Sequence, residues 1–166
     1  MLIFISCGVI NPKPSAMPEA KPTPKEAFIQ MPFGYEPTKQ NFAINLPHSF
    51  KMEIYTLRSK VRPEVKDTFF RFYYRKSELF LFKNNNLKER LTVGKIADNR
   101  VVLVNGVKTG ISRDKFFKCF TNLQSSLDDT IKIMSKQRTF NSFSFIFKNH
   151  KLFVIKFDNK IDNPEN

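Results

Sequence analysis

The stretch 143-FSFIFKNHKLFVIKF-157 decides the fold class. Phe143, Phe145 and Phe147 alternate with Ser142, Ser144 and Ile146, a period of two in which apolar rings fall on one side of an extended chain. Asn149-His150 interrupts the run and Leu152–Phe157 returns with similar apolar residues, so the segment reads as a β-hairpin that pairs with itself.

The same texture extends back to Phe50. In 50-FKMEIYTLR-58, Phe50, Met52 and Ile54 alternate with Lys51, Glu53 and Tyr55, which predicts a half-buried strand. The run 67-DTFFRFYYRKSELFLFK-83 predicts two strands joined near Lys76 and Ser77. In the first of them Phe70, Phe72 and Tyr74 point one way and Phe69, Arg71, Tyr73 and Arg75 the other. Shorter strands are expected at 91-LTVGKI-96 and 99-NRVVLV-104, the latter closed by the turn pair Asn105-Gly106. Nothing repeats at the spacing of a solenoid.

One helix is expected, over about 112–123. Ser112 is placed to cap it, Asp114 meets the positive end of the helix dipole, and Ile111 can staple to Phe116. Phe116, Cys119, Phe120 and Leu123 then share a face, which makes Cys119 a small core filler. The expected class is α+β: an antiparallel sheet rich in Phe, with one principal helix packed on it, forming a single domain over 42–166.

The composition agrees with a mainly extended domain. The 166 residues include 19 Phe and no Trp, and 41% are apolar, enough for one core. The formal charge is +13, which favours encounters with anionic partners. Residues 1–50 are close to neutral, with four lysines against three glutamates, so the basic character belongs to residues 51–166.

Residues 8–41 read differently. Pro12, Pro14, Pro18, Pro22 and Pro24 hold the chain near polyproline II, and Gly34 and Pro37 continue the broken pattern, so this span is expected to be a tether. A disordered tail or a proline-rich ligand for a partner groove fits the same composition. Ahead of it stands 1-MLIFISCG-8, an apolar run too short to cross a membrane, ending in a small residue, Cys7 and Gly8. Two readings of it are open: a buried edge strand with an inert cysteine, or the end of a processed leader.

The second reading rests on a resemblance. MLIFISCG is similar to the end of a bacterial lipoprotein signal peptide, departing from it in Phe4 where Leu is usual and in lacking a basic start. That resemblance implies lipid attachment at Cys7 and a membrane anchor at the cell envelope. The order of strand, Asn-Gly turn, Gly110-Ile111-Ser112, Phe-rich helix and closing hairpin resembles small lipoproteins of the Bacteroidota type. More distantly it resembles the SmpA/OmlA and β-lactamase-inhibitor-protein group. Here Ile111 stands where Met is common and His150 where Gly is frequent. The resemblance implies a lipid-anchored module that binds other proteins and catalyses nothing.

For binding, the sequence offers Arg71, Tyr73 and Arg75, cations interleaved with aromatics on one expected strand face. Such a face suits an envelope protein or another acidic protein surface. It also suits nucleic acid, by stacking and phosphate neutralisation, although the glycines of an RNA-recognition motif and any zinc-finger or helix-turn-helix pattern are missing. A third reading is an inhibitor or immunity protein that uses its charge to approach an acidic enzyme. Catalysis has little support. Cys119 has no base near it in sequence, and His48 and His150 lie in a loop and a turn. Asp128-Asp129 reads as a solvated turn, Gly94-Lys95 lacks the glycine framework of a phosphate loop, and two Cys and two His have no metal-ligand spacing. No catalytic residue, metal site or cofactor is expected.

Overall fold

A computed structural model describes residues 23–58, 64, 66–83, 88–135 and 141–159. Cys7 and the first part of the expected tether lie outside the described residues. The closing hairpin forms as expected. Strands β6 (Asn141–Lys148) and β7 (Lys151–Asn159) pair antiparallel, with Phe143 opposite Phe157 and Phe145 opposite Ile155. Asn149 and His150 adopt φ of 50° and 58°, the left-handed pair that a two-residue hairpin turn needs to match strand twist.

Upstream, β1 (Lys51–Arg58), β2 (Lys66–Tyr74), β3 (Ser77–Lys83) and β4 (Arg90–Ile96) form an antiparallel meander. β5 (Thr130–Met134) pairs with β6. β4 joins β7, giving one open antiparallel sheet of seven strands in the order β1-β2-β3-β4-β7-β6-β5. Among the described residues three short α-helices accompany it: α1 (Lys25–Gln30), α2 (Lys39–Asn45) and α3 (Arg113–Lys118). The described chain is thus mostly β, and no single helix dominates.

The core lies on one face. Phe70 and Phe72 of β2, Leu79 and Leu81 of β3, Phe143 and Phe145 of β6 and Phe157 of β7 are buried there beneath the helices and the connection from β4 to β5. Edge-to-face contacts join the layers: Phe28 of α1 lies 5.3 Å from the Phe143 ring and 5.2 Å from Phe120, and Phe42 of α2 lies 5.4 Å from Phe72. Such geometry sets the positive edge of one ring on the negative face of the next.

Four local expectations change. The helix expected over 112–123 stops at Lys118, although Ser112 does cap it by accepting from the Lys115 amide. The carbonyl of Cys119 is taken by the Thr23 amide at 3.1 Å and by Asn105 Nδ2 at 3.0 Å, and Phe120 bridges in parallel to Thr23. These bonds capture the backbone that a further helical turn would need.

The segment 99–104 makes no strand. Val101 and Leu103 are buried while Val102 is exposed, so the alternation is real, but the backbone bonds instead to Pro32 and Val107. β1 exists but is not half-buried: Met52 and Ile54 are exposed at the sheet edge, beyond the reach of the covering helices. Finally, residues 25–41 of the expected tether hold α1 and the start of α2, and Phe28, Ile29 and Phe33 are buried in the core. Burying three large apolar side chains outweighs the extended bias of the neighbouring prolines.

Candidate binding surfaces

Alternation along β2 puts Arg71 and Tyr73 on the face opposite the core, as the sequence implies, and the register places acids beside them. Glu53 of β1 lies opposite Arg71, and Glu78 of β3 lies opposite Tyr73. The Arg71 guanidinium meets Glu53 at 3.3 Å and Glu78 at 3.1 Å, and its carbon sits 4.7 Å from the Tyr73 ring centre. Tyr73 donates to Glu53 at 2.8 Å, and Tyr55 donates to the other oxygen of the same carboxylate. Hydrogen bonds from Tyr55 and then Tyr73 hold the Glu53 carboxyl below its usual range, while the bond to Glu53 raises Tyr73. Two carboxylates around one guanidinium leave this patch without surplus positive charge.

Arg75 is not part of that patch. The two-residue turn between Tyr74 and Ser77 gives Arg75 a φ of 51°, which breaks the alternation and swings it to the end of the sheet. Because neighbouring strands run in opposite directions, the β2–β3 turn, the end of β4 and the β6–β7 turn all gather at that same end. Between them lies a groove of about 1160 Å³.

Arg75, Lys76, Lys95, Lys148 and Lys151 line this groove, and none makes an ion pair within 4.0 Å among the described residues. Arg100 also lines it but is matched by Asp98, through bonds of 2.9 and 2.7 Å to its two oxygens. That pairing holds the Asp98 carboxyl below its usual range. Cations also lie beside the aromatic rings here: Arg100 and Arg75 are 4.7 and 5.2 Å from the Tyr74 ring centre, and Lys148 Nζ is 5.9 Å from that of the exposed Phe153. The sequence shows each of these cations, yet their convergence depends on the strand order, which only the structure supplies.

The residues considered for catalysis are placed apart. Cys119 donates to the carbonyls of Asn105 and Lys115 at 3.3 and 3.2 Å, and burial pushes its thiol up, so it behaves as a filler. Asp128 accepts from Ser126 Oγ, whereas Asp129 meets Arg113 at 3.4 Å, so the adjacent acids engage different partners. Gly94 lies inside β4 against the Phe157 ring and belongs to no loop. Among the described residues no three His, Cys, Asp or Glu side chains are grouped to hold a metal, and no helix is long and apolar enough to cross a membrane.

Arg113 is a buried charged residue that sequence reasoning passed over. Its guanidinium donates to the carbonyls of Ser126 and Asp128 at 2.9 and 2.6 Å and lies 4.5 Å from the Phe147 ring centre. It fastens the connection before β5 to the top of the hairpin, a structural task. Comparison of the chain with protein-family models, with curated proteins and with solved structures finds no match in any of the three.

Proposed function

We propose that this chain is a non-catalytic binding domain that receives an acidic protein segment in the sheet-end groove, and that lipid on Cys7 holds it at the cell envelope. The observation that carries the binding half is the convergence of Arg75, Lys76, Lys95, Lys148 and Lys151 without carboxylate partners within ion-pair distance among the described residues. Four of the five are lysines, flexible point charges that attract carboxylate and phosphate alike, and a place at the envelope favours a protein partner. The rings of the groove, Tyr74 and the half-exposed Phe153, stand beside cations and so belong to a cationic lining. The overall charge of +13 adds steering to the encounter. The envelope half rests on the resemblance of MLIFISCG to a lipoprotein signal.

The test uses a labelled poly-glutamate peptide and an oligothymidylate of equal charge, titrated with the full chain and with the Lys148→Glu/Lys151→Glu variant. Poly-glutamate binding that falls with salt and drops roughly tenfold or more in the variant supports the reading. Equal binding by chain and variant overturns it, and preferential binding of the oligonucleotide turns the groove over to nucleic acid. For the anchor, an intact mass carrying diacyl or triacyl modification, absent in Cys7→Ser, is expected. An unmodified chain retaining residues 1–6 refutes that half alone.

A further inference from the structure

β1 lies at one edge of the sheet, and among the described residues no strand pairs with its outer side. Proteins usually blunt such an edge by making it short, charging it, bulging it, inserting proline or covering it. The opposite edge, β5, is short and covered: it has five residues, buries Ile131 and Ile133, and packs against α1. β1 relies on charge alone, at Lys51, Glu53 and Arg58. It runs for eight residues without proline and pairs with β2 in an unbroken register. Its apolar side chains stand exposed on both faces, Met52 and Ile54 on the core side and Tyr55 and Leu57 on the other.

We infer that β1 pairs with β1 of a second copy, antiparallel, about a two-fold axis through Ile54. Side chains alternate, so a two-fold axis that keeps both core faces on the same side can only oppose residues of like parity. Centring on Ile54 sets it against Ile54 of the second copy, Met52 beside Thr56, Glu53 beside Tyr55, and the Lys51 stem along Leu57. No like charges stand directly opposite, the two Glu53 side chains being diagonal neighbours, and each Glu53 gains a neighbour of the kind it already uses, a Tyr55 hydroxyl. Centring one residue earlier sets Glu53 against Glu53, and one residue later sets Glu53 against Leu57 and Arg58 against Met52.

The high charge does not oppose this arrangement. Lys51 pairs with Tyr73, so β1 begins at the basic end of the sheet, and antiparallel pairing sends the two grooves to opposite ends of the joined sheet. The register sets the two Lys51 positions six residues, about 20 Å, apart along the axis with the grooves beyond them, more than two screening lengths of about 8 Å at physiological salt. β1 itself carries only Lys51, Glu53 and Arg58. The contact is confined to one strand and its side chains, below the ~1,200–2,000 Å² of a standard interface, so the pair forms reversibly at micromolar or higher concentration. The inference stands on β1 alone and fails or succeeds independently of the groove.

The test places a cysteine on the axis. In the full chain carrying Cys7→Ser and Cys119→Ser, Ile54→Cys brings two thiols to a cross-strand Cα separation of about 4.5–5.5 Å, within disulfide reach. Met52→Cys leaves its two copies offset by four residues, roughly 13 Å along the strand, and beyond reach. Mild oxidation is expected to yield a covalent dimer from the first and monomer from the second. Sedimentation equilibrium of the chain with Cys7→Ser alone should show reversible dimerisation that Ile54→Lys abolishes without changing circular dichroism. Monomer at every concentration overturns the inference. A dimer indifferent to Ile54→Lys, or equal cross-linking at 52 and 54, overturns the stated register and surface.

Discussion

Replacing Gly94 with alanine tests the seam where the two halves of the sheet meet. Gly94 of β4 faces the core opposite Phe157 of β7, and a β-carbon built there falls 2.1 Å from the ring Cζ and 2.5 and 2.8 Å from the two Cε atoms. Reaching ordinary contact requires the ring to retreat by more than about 1 Å, a shift of the size that makes overpacked cores relocate side chains or backbone. Phe157 has little room for that, being 2% exposed with Phe143 only 5.6 Å away between ring centres. Overpacking of this kind costs ~1–3 kcal/mol, and alanine recovers ~0.5–1 kcal/mol over glycine in a strand. The net expectation is a loss of about 1 kcal/mol, measured as the urea midpoint at constant slope, or a fall in melting temperature of about 2–4 °C. Trimming the ring should relieve the clash, so Gly94→Ala/Phe157→Leu should be at least ~1 kcal/mol more stable than the single losses add up to. A Gly94→Ala chain within ~0.5 kcal/mol of the parent, or strictly additive losses in the double variant, would refute the reasoning.

Two further outcomes concern buried or networked polar groups. Arg113→Met should cost ~2–3 kcal/mol, because it strips the guanidinium from the Ser126 and Asp128 carbonyls, and limited proteolysis should then cut first within 121–129. Arg113→Lys should not restore stability, since one ammonium cannot sit on both carbonyls, reach Asp129 and keep a planar group over the Phe147 ring at once; full recovery by lysine would contradict the assignment. For Glu53, the folded carboxyl titrates below its ordinary value of 4.5, so its stabilising contribution is present above that pH and is lost as acid carries the solution down through the folded value. Glu53→Gln should therefore flatten the acid side of the stability profile, and an unchanged slope below pH 4.5 would show that the Tyr55 and Tyr73 bonds do not hold the carboxylate.

The hairpin at 143–157 and the strands at 67–83 are legible because their alternation is carried by large rings whose burial sets the register. α1 is not legible: six residues after a proline run give no helical period, and Phe28 alone does not announce that β6 will cover it. The segment 99–104 misleads because alternation measures which side chains are buried, not whether a neighbouring strand is there to receive the backbone. The Arg71–Tyr73 face is visible in β2, but its neutralisation by Glu53 and Glu78 depends on the registers of two other strands. The groove is hidden for a related reason, since Lys76 and Lys148 meet only through an order that places β7 beside β4.

The packing of α1 against β5 and β6 also sets a timetable for synthesis. Phe28 and Ile29 leave the ribosome early, yet the rings that bury Phe28, among them Phe143 and Phe145, emerge roughly 115 residues later, about 6–23 s at ordinary elongation rates of ~5–20 residues per second. During that interval the first meander can pair its own backbone, but α1 has no surface to settle on, and the apolar edge of β4 waits for β7. The nascent chain thus carries sticky surface for most of its translation, which makes it a natural client for a holding chaperone and favours rapid docking once the last hairpin is complete.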